Sequence, residues 1–153
     1  MRSGEPVTAL IRHRAGGFDV KTPKGAYAAR RFVLATGQRG NPRRLGVPGE
    51  ESERVHHRLY SPKAYTGEEI LVVGGGISAV EAALVLSGKN HVTLTHRGAA
   101  LPRLFHDNRR LLDKAVAEGR IRLRLGTEVR EFGDGWTQVG GQRIEYSRAF
   151  VLI

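Results

Sequence analysis

The chain has 153 residues, 40% of them hydrophobic, enough for one core that buries roughly 70% of the unfolded surface. It contains no cysteine, which excludes disulfides, thiolate nucleophiles, dithiol redox chemistry and Cys-ligated zinc, so any electron transfer must run through a bound cofactor. The formal net charge of +10 suggests polyanionic partners, but the arginines are scattered, which argues against a nucleic-acid surface.

Residues 1–10 lack the apolar region of a signal peptide. No apolar run reaches the ~20 residues of a membrane helix, and a cytoplasmic chain is expected. Residues 5–14, 16–22 and 25–31 read as three short strands of a β-meander. They lead into an apolar strand, Phe32-Val33-Leu34-Ala35-Thr36-Gly37. Glycines, prolines and arginines over 37–52 mark a linker. The domain boundaries that follow are 1–40 for the meander and its apolar strand, 41–67 for the linker, and 68–153 for the main domain.

Residues 68–73 read as a buried strand, and 77–86 as a helix with Ile77, Val80, Leu84 and Ala83 facing inward. Residues 91–95 form a second strand. Asp107 is the expected N-cap of a helix through Glu118, with Leu111, Leu112, Ala115 and Val116 inward and Gly119 as its stop. Residues 120–125 form a third strand. The fold class is therefore α/β, a Rossmann-like parallel sheet built β-α-β-α-β. The third strand alternates Ile121, Leu123 and Leu125 with Arg120, Arg122 and Arg124. A central parallel strand is buried on both faces and does not alternate, so this strand is placed at the sheet edge. Its arginines read as a solvated face that discourages edge pairing.

Three further short strands, 127–132, 136–139 and 142–147, form a second β-meander before a final apolar strand at 149–153. Residues 16–37 and 134–153 share aromatic, turn and Phe-Val-Leu positions, which is an internal repeat. The second copy follows a complete βαβ body and the first does not. Residues 1–40 therefore read as a partial meander from another dinucleotide-binding unit, and the chain as a piece of a longer protein.

Gly74-Gly75-Gly76-Ile77-Ser78-Ala79 fits G-x-G-x-x-A directly after an apolar strand and at the start of an amphipathic helix. Gly74 makes the tight turn, Gly76 lets a pyrophosphate approach the backbone, and Ala79 allows close helix–strand packing. Ser78 can hydrogen-bond the pyrophosphate or cap the helix. An NAD site places a carboxylate about 20 residues on, at the end of the second strand. Here that position reads Thr95-His96-Arg97, with no acid before Asp107. A carboxylate would repel a ribose 2′-phosphate, whereas arginine binds one bidentately. Arg97 is the first choice for that contact, with His96 flanking and Arg103 closing from the loop or simply exposed. NADPH is the expected dinucleotide.

Residues 32–50, 70–86 and 92–97, in that order, closely resemble the flavoproteins with two dinucleotide-binding domains. These form the pyridine nucleotide-disulfide oxidoreductase superfamily, including thioredoxin-reductase-like enzymes and bacterial flavin-dependent monooxygenases. The resemblance implies an NADPH domain set within a FAD domain. It places Ala35-Thr36-Gly37 at the close of the first half of the FAD domain, as cofactor-binding residues. It also implies that a glutamate such as Glu81 lies near the nicotinamide; the residue alone reads equally as a first-turn glutamate favoured by the helix dipole. Two features depart from the family. The Cys-x-x-Cys of thioredoxin reductases is replaced by residues 55–67, which excludes dithiol exchange by this segment. Residues 57–60 resemble the His-x-x-x-Tyr/Phe end of a flavin-monooxygenase motif, but one residue short in spacing and without its Phe-x-Gly start; the alternative reading is linker packing. His56 and His57, pointing opposite ways without further ligands, do not make a metal site.

The function expected is the NADPH-binding portion of a FAD-dependent NAD(P)H oxidoreductase, passing hydride to a flavin held outside this chain. By itself the chain is expected to hold no FAD and to be inactive. Its partners would be NADP(H) and a FAD domain or FAD-bearing chain, with a second copy of the chain as another cover for the open meander. The alternatives are a stand-alone NADP-binding module without its own catalysis and an Arg-rich nucleic-acid binder.

Overall fold

The computed structural model describes residues 3–14, 16–35, 40, 42–101 and 104–153. The chain divides into two compact units, Met1–Gly40 and Asn41–Ile153.

The first unit is an antiparallel meander of β1 (Ala9–Arg12), β2 (Phe18–Thr22) and β3 (Gly25–Ala29), in spatial order β1-β2-β3. Val20 lies opposite Leu10 on one side and Tyr27 on the other. Glu5 ties the sheet together by accepting hydrogen bonds from Thr22 Oγ1 at 2.7 Å and Tyr27 Oη at 2.6 Å. No described residue of this unit is buried. The apolar strand expected at 32–37 does not form over 32–35, and Thr36 and Gly37 lie outside the described residues. Val33 and Leu34 are 83% and 74% exposed. A strand exists through its ladder to a neighbour, and the three-stranded meander does not extend to one for this segment.

This unit has an expected thermodynamic signature. Opening it exposes little apolar surface, so its amides should exchange at opening free energies well below the roughly 5–15 kcal/mol of a global transition. Hydrogen exchange read by mass spectrometry should show residues 9–29 exchanging ahead of 70–73 and 92–95. Equal protection in both segments would contradict this.

The second unit is built on a five-stranded parallel sheet. Its strands are β4 (Val55–His56), β5 (Glu69–Val73), β6 (His91–His96), β7 (Ile121–Leu125) and, last in the chain, β11 (Arg148–Val151). Their order is β4-β11-β5-β6-β7. Helices α1 (Ile77–Leu86) and α2 (His106–Ala117) connect β5 to β6 and β6 to β7. A second antiparallel meander, β8 (Val129–Phe132), β9 (Trp136–Val139) and β10 (Gln142–Glu145), connects β7 to β11.

Alternate residues of the central strands feed two cores. Ile70, Val72, Val92, Leu94, Ile121 and Phe150 pack with Ala79, Val80, Ala83, Leu86, Leu112 and Ala115 of the helices. Leu71, Val73, Ala149 and Val151 pack with Val129, Phe132, Val139 and Tyr146 of the meander. The sheet is thus covered by helices on one face and by a small sheet on the other. Burying each large apolar side chain of these cores contributes roughly 1.5–3 kcal/mol.

β7 stands at the sheet edge, as its alternation requires. Its arginines are engaged rather than free: Arg122 bonds the Glu69 carboxylate, and Arg124 Nη1 donates to Gln142 Oε1 at 2.7 Å. Two helix details differ from the sequence expectation. The N-cap of α2 is Phe105, and Asp107 falls in the first turn, where a carboxylate also favours the helix dipole. Leu111 is 46% exposed, because the stripe that meets the core runs through Leu112 and Ala115. In α1, Ile77 and Leu84 are half-buried, and Ala79, Ala82 and Leu86 join Val80 and Ala83 inside.

Residues 41–67, read as a linker, contribute structure to this unit. Val55 and His56 pair in parallel with Ala149 and Phe150 as the β4 edge. Glu50, 4% exposed, accepts the backbone N–H groups of Leu45 at 2.8 Å and Gly46 at 2.7 Å. Tyr65 meets Phe150 edge-on, with ring centroids 5.4 Å apart. Among the described residues no helix is long and apolar enough to cross a membrane.

Candidate functional site

In an open parallel sheet, ligands bind beyond the carboxyl ends of the strands, where chain connections leave in opposite directions. Here that point lies at β5, with β6 and β7 on one side and β11 on the other. The chain leaves β5 through Gly74, Gly75 and Gly76 and enters α1 at Ile77.

The three glycines do different work. Gly74 has φ +151°, and a Cβ there would strike the Leu152 carbonyl and lie 2.9 Å from the Ala79 Cβ. Both sides of this contact are fixed: Gly74 N–H donates to Thr95 O at 3.0 Å, and Leu152 N–H donates to Val73 O at 2.8 Å. A Cβ on Gly75 would fall on the His96 imidazole, 2.5 Å from Cε1 and 2.6 Å from Cγ. A Cβ on Gly76 would meet nothing within 4 Å. Gly76 is the N-cap of α1 with φ −80° and ψ 175°, and makes no side-chain capping bond.

The first bond of the helix ladder runs from Val80 N–H to Gly76 O at 3.2 Å. The N–H groups of Ile77, Ser78 and Ala79 therefore precede the ladder at the positive end of the dipole. No acidic residue stands in this first turn, which leaves the field there unopposed. Ser78 is exposed and Ala79 is fully buried against β5. Open space above Gly76, free amides and no carboxylate make a cradle suited to an anionic diphosphate.

β6 delivers the second group of residues to the same edge. Its pairing with β5 sets Thr95 opposite Val73, so His96 and Arg97 follow beside the glycine turn. Arg97 is exposed and His96 half-buried. The loop after β6 is pinned to the loop after β7: Thr127 N–H donates to His96 O at 3.1 Å, Gly126 N–H to Gly98 O at 2.8 Å, and the Thr95 and Thr127 hydroxyls lie 2.8 Å apart. Gly98 and Thr127 were missed in the sequence; a glycine within two residues of each strand end, Gly98 and Gly126, was the available signal.

Other expected residues fall differently. Glu81 is the fifth residue of α1, outside the first turn, and accepts a hydrogen bond from Asn108 Nδ2 at 3.2 Å. Arg103 lies outside the described residues, as do Thr36 and Gly37 of the Ala-Thr-Gly segment. Ala35 is exposed in the first unit. The two adjacent histidines face separate neighbours. The His56 ring lies 5.4 Å from Phe150, and its pKa is lowered by burial and then by the nearby Arg148. His57 Nε2 stands 3.9 Å from Glu50 Oε1. Leu59 packs on the helix-side core, whereas Tyr60 is 77% exposed. Among the described residues no group of three or more His, Asp or Glu could hold a metal.

A family model for pyridine nucleotide-disulphide oxidoreductase matches residues 1–149. Ferredoxin–NADP reductase of Thermus thermophilus is 34% identical over 139 residues, covering 87% of this chain and 39% of that protein. Among solved structures, bacillithiol disulfide reductase Bdr from Bacillus cereus superposes with a TM-score of 0.76 at 28% identity, over 99% of this chain and 49% of that one. Thioredoxin reductase from Lactococcus lactis superposes with a TM-score of 0.75 at 25% identity, over 97% of this chain and 52% of that one. The chain spans about half or less of the length of these relatives.

Proposed function

The chain belongs to the pyridine nucleotide-disulphide oxidoreductase family, and from that we propose that it is the NADPH-binding portion of a FAD-dependent NAD(P)H oxidoreductase. The observation that carries the reading is the pairing of an open, amide-lined turn at Gly76 with a β6 end that offers Arg97 and no carboxylate. The ferredoxin–NADP reductase name of one relative supports NADP as the dinucleotide.

The residues present fit one such cofactor. The N–H groups of Ile77, Ser78 and Ala79 bind the diphosphate, Gly76 admits it to van der Waals distance of the backbone, and Arg97 pairs with the 2′-phosphate. When bound, NADPH supplies a hydride for the flavin, and the protein's part is to bind and orient it. Among the described residues only the β5–α1 connection is a run of glycines that opens directly into a helix. FAD is therefore assigned to a separate dinucleotide-binding unit, and these residues carry no step of flavin chemistry.

Titration calorimetry with Arg97→Ala tests the assignment. A charge-assisted bidentate contact is worth about 1.5–3 kcal/mol, so NADPH affinity should fall about 10- to 150-fold. NADH affinity should hardly move. Equal losses for both dinucleotides would remove the 2′-phosphate role from Arg97, and no binding of either by the wild type would overturn the reading itself.

A further inference from the structure

The glycine turn and the loop after β6 meet through one side chain. The His96 imidazole occupies the space that a Cβ on Gly75 would take, on its Cγ–Nδ1–Cε1 side. Its other edge does the same at Gly98, where a Cβ would lie 2.7 Å from Nε2 and 3.2 Å from Cδ2. The ring is thus seated between two glycine backbones, one in each crossover loop. Its own backbone cannot drift. His96 is paired with Leu125 at the end of β6, and its carbonyl accepts the Thr127 N–H at 3.1 Å.

We propose that His96 is a positioning residue, whose ring wedged between Gly75 and Gly98 holds the diphosphate-binding turn in its open conformation for either dinucleotide. This rests on the dinucleotide reading of the turn given above, and goes beyond it by separating His96 from the 2′-phosphate. The physical reason lies in the turn itself. Two successive residues with no side chain have a wide range of accessible φ and ψ, and a rigid aromatic ring packed on one of them removes much of that range. The entropy cost of ordering the turn is then met in the folded protein rather than on binding, which is how preorganisation raises affinity. Gly75 is glycine for the ring's sake, and Gly76 for the ligand's.

A double-mutant cycle tests this, with His96→Ala, Gly75→Ala and the pair, each titrated with NADPH and with NADH by calorimetry. His96→Ala should weaken both dinucleotides by a similar factor, about 5- to 50-fold, the scale of one to two ordered side chains. Gly75→Ala should weaken both as well, because its methyl displaces the ring. The pair should be no weaker than His96→Ala alone, since a methyl at 75 has nothing to displace once the ring is gone. A loss confined to NADPH would place His96 on the 2′-phosphate and overturn the proposal, as would no loss or a fully additive cycle. Hydrogen exchange on the cofactor-free protein gives a reading that does not depend on which dinucleotide binds. Amides 74–79 should exchange faster in His96→Ala, with 70–73 and 121–125 unchanged. Unchanged exchange at 74–79 would overturn the proposal even where the wild type binds both dinucleotides. A wild type that binds neither, with faster exchange in the variant, would remove the proposed function and leave the wedge standing.

Discussion

Gly76→Val is expected to fold as the wild type does and to bind neither NADPH nor NADH. Position 76 has φ −80° and ψ 175°, an extended backbone that any residue adopts. A Cβ there meets nothing in the protein within 4 Å, and replacing glycine at an N-cap by an aliphatic residue costs the helix no more than about 1 kcal/mol. The branched side chain instead fills the space over the free amides of Ile77, Ser78 and Ala79. Displacing the diphosphate from two charge-assisted bonds forfeits at least about 3 kcal/mol, or more than 100-fold in affinity. Calorimetry beside a thermal melt reads both quantities. A variant that melts like the wild type and still binds would show that the diphosphate lies elsewhere.

Gly74→Ala, two residues away, should give the opposite signature. Its φ of +151° disfavours any side chain, and the added methyl would run into the Leu152 carbonyl. Neither neighbour can yield without breaking the Gly74–Thr95 or Leu152–Val73 hydrogen bond. Backbone strain of about 1–3 kcal/mol and overpacking of similar size should together destabilise the unit by roughly 2–6 kcal/mol. At about 2–4 °C per kcal/mol for a chain of this size, the melting temperature should fall by roughly 5–20 °C. An unchanged melting temperature would mean that the turn is more pliable than its hydrogen bonds imply.

Much of the second unit could be read from residues alone, because its signals are local. An apolar run, a glycine turn and an amphipathic run fix β5 and α1, and the helix bounds Ile77–Leu86 agree between sequence and structure. Strict alternation at Ile121–Leu125 likewise placed β7 at an edge. What was missed depends on distant partners. β4 is two residues, Val55 and His56, in a polar stretch, and becomes a strand only because β11 lies alongside. The same rule works in reverse at Phe32–Ala35, where strand-forming residues find no ladder within their unit. At the site, G-x-G-x-x-A pointed to the turn that is proposed to receive the ligand. That His96 lies on Gly75 could not be read, since contact across a crossover depends on the register of β5 with β6.

The place of β11 has a consequence for how the polypeptide is made. It is the last strand in chain order and yet lies inside the sheet, between β4 and β5. Val55 pairs with Ala149, so at about 5–20 residues per second a ribosome delivers the second partner roughly 5–20 s after the first. Through that interval β4 has no neighbour, and the side of β5 that will receive β11 offers unpaired amides and carbonyls. Leu71 and Val73 wait somewhat less long for Ala149 and Val151, which complete their side of the core. The nascent chain thus carries an open sheet edge until Arg148–Val151 emerges. That interval is when a holdase would have most to protect, and when pairing between neighbouring nascent copies would compete with the fold.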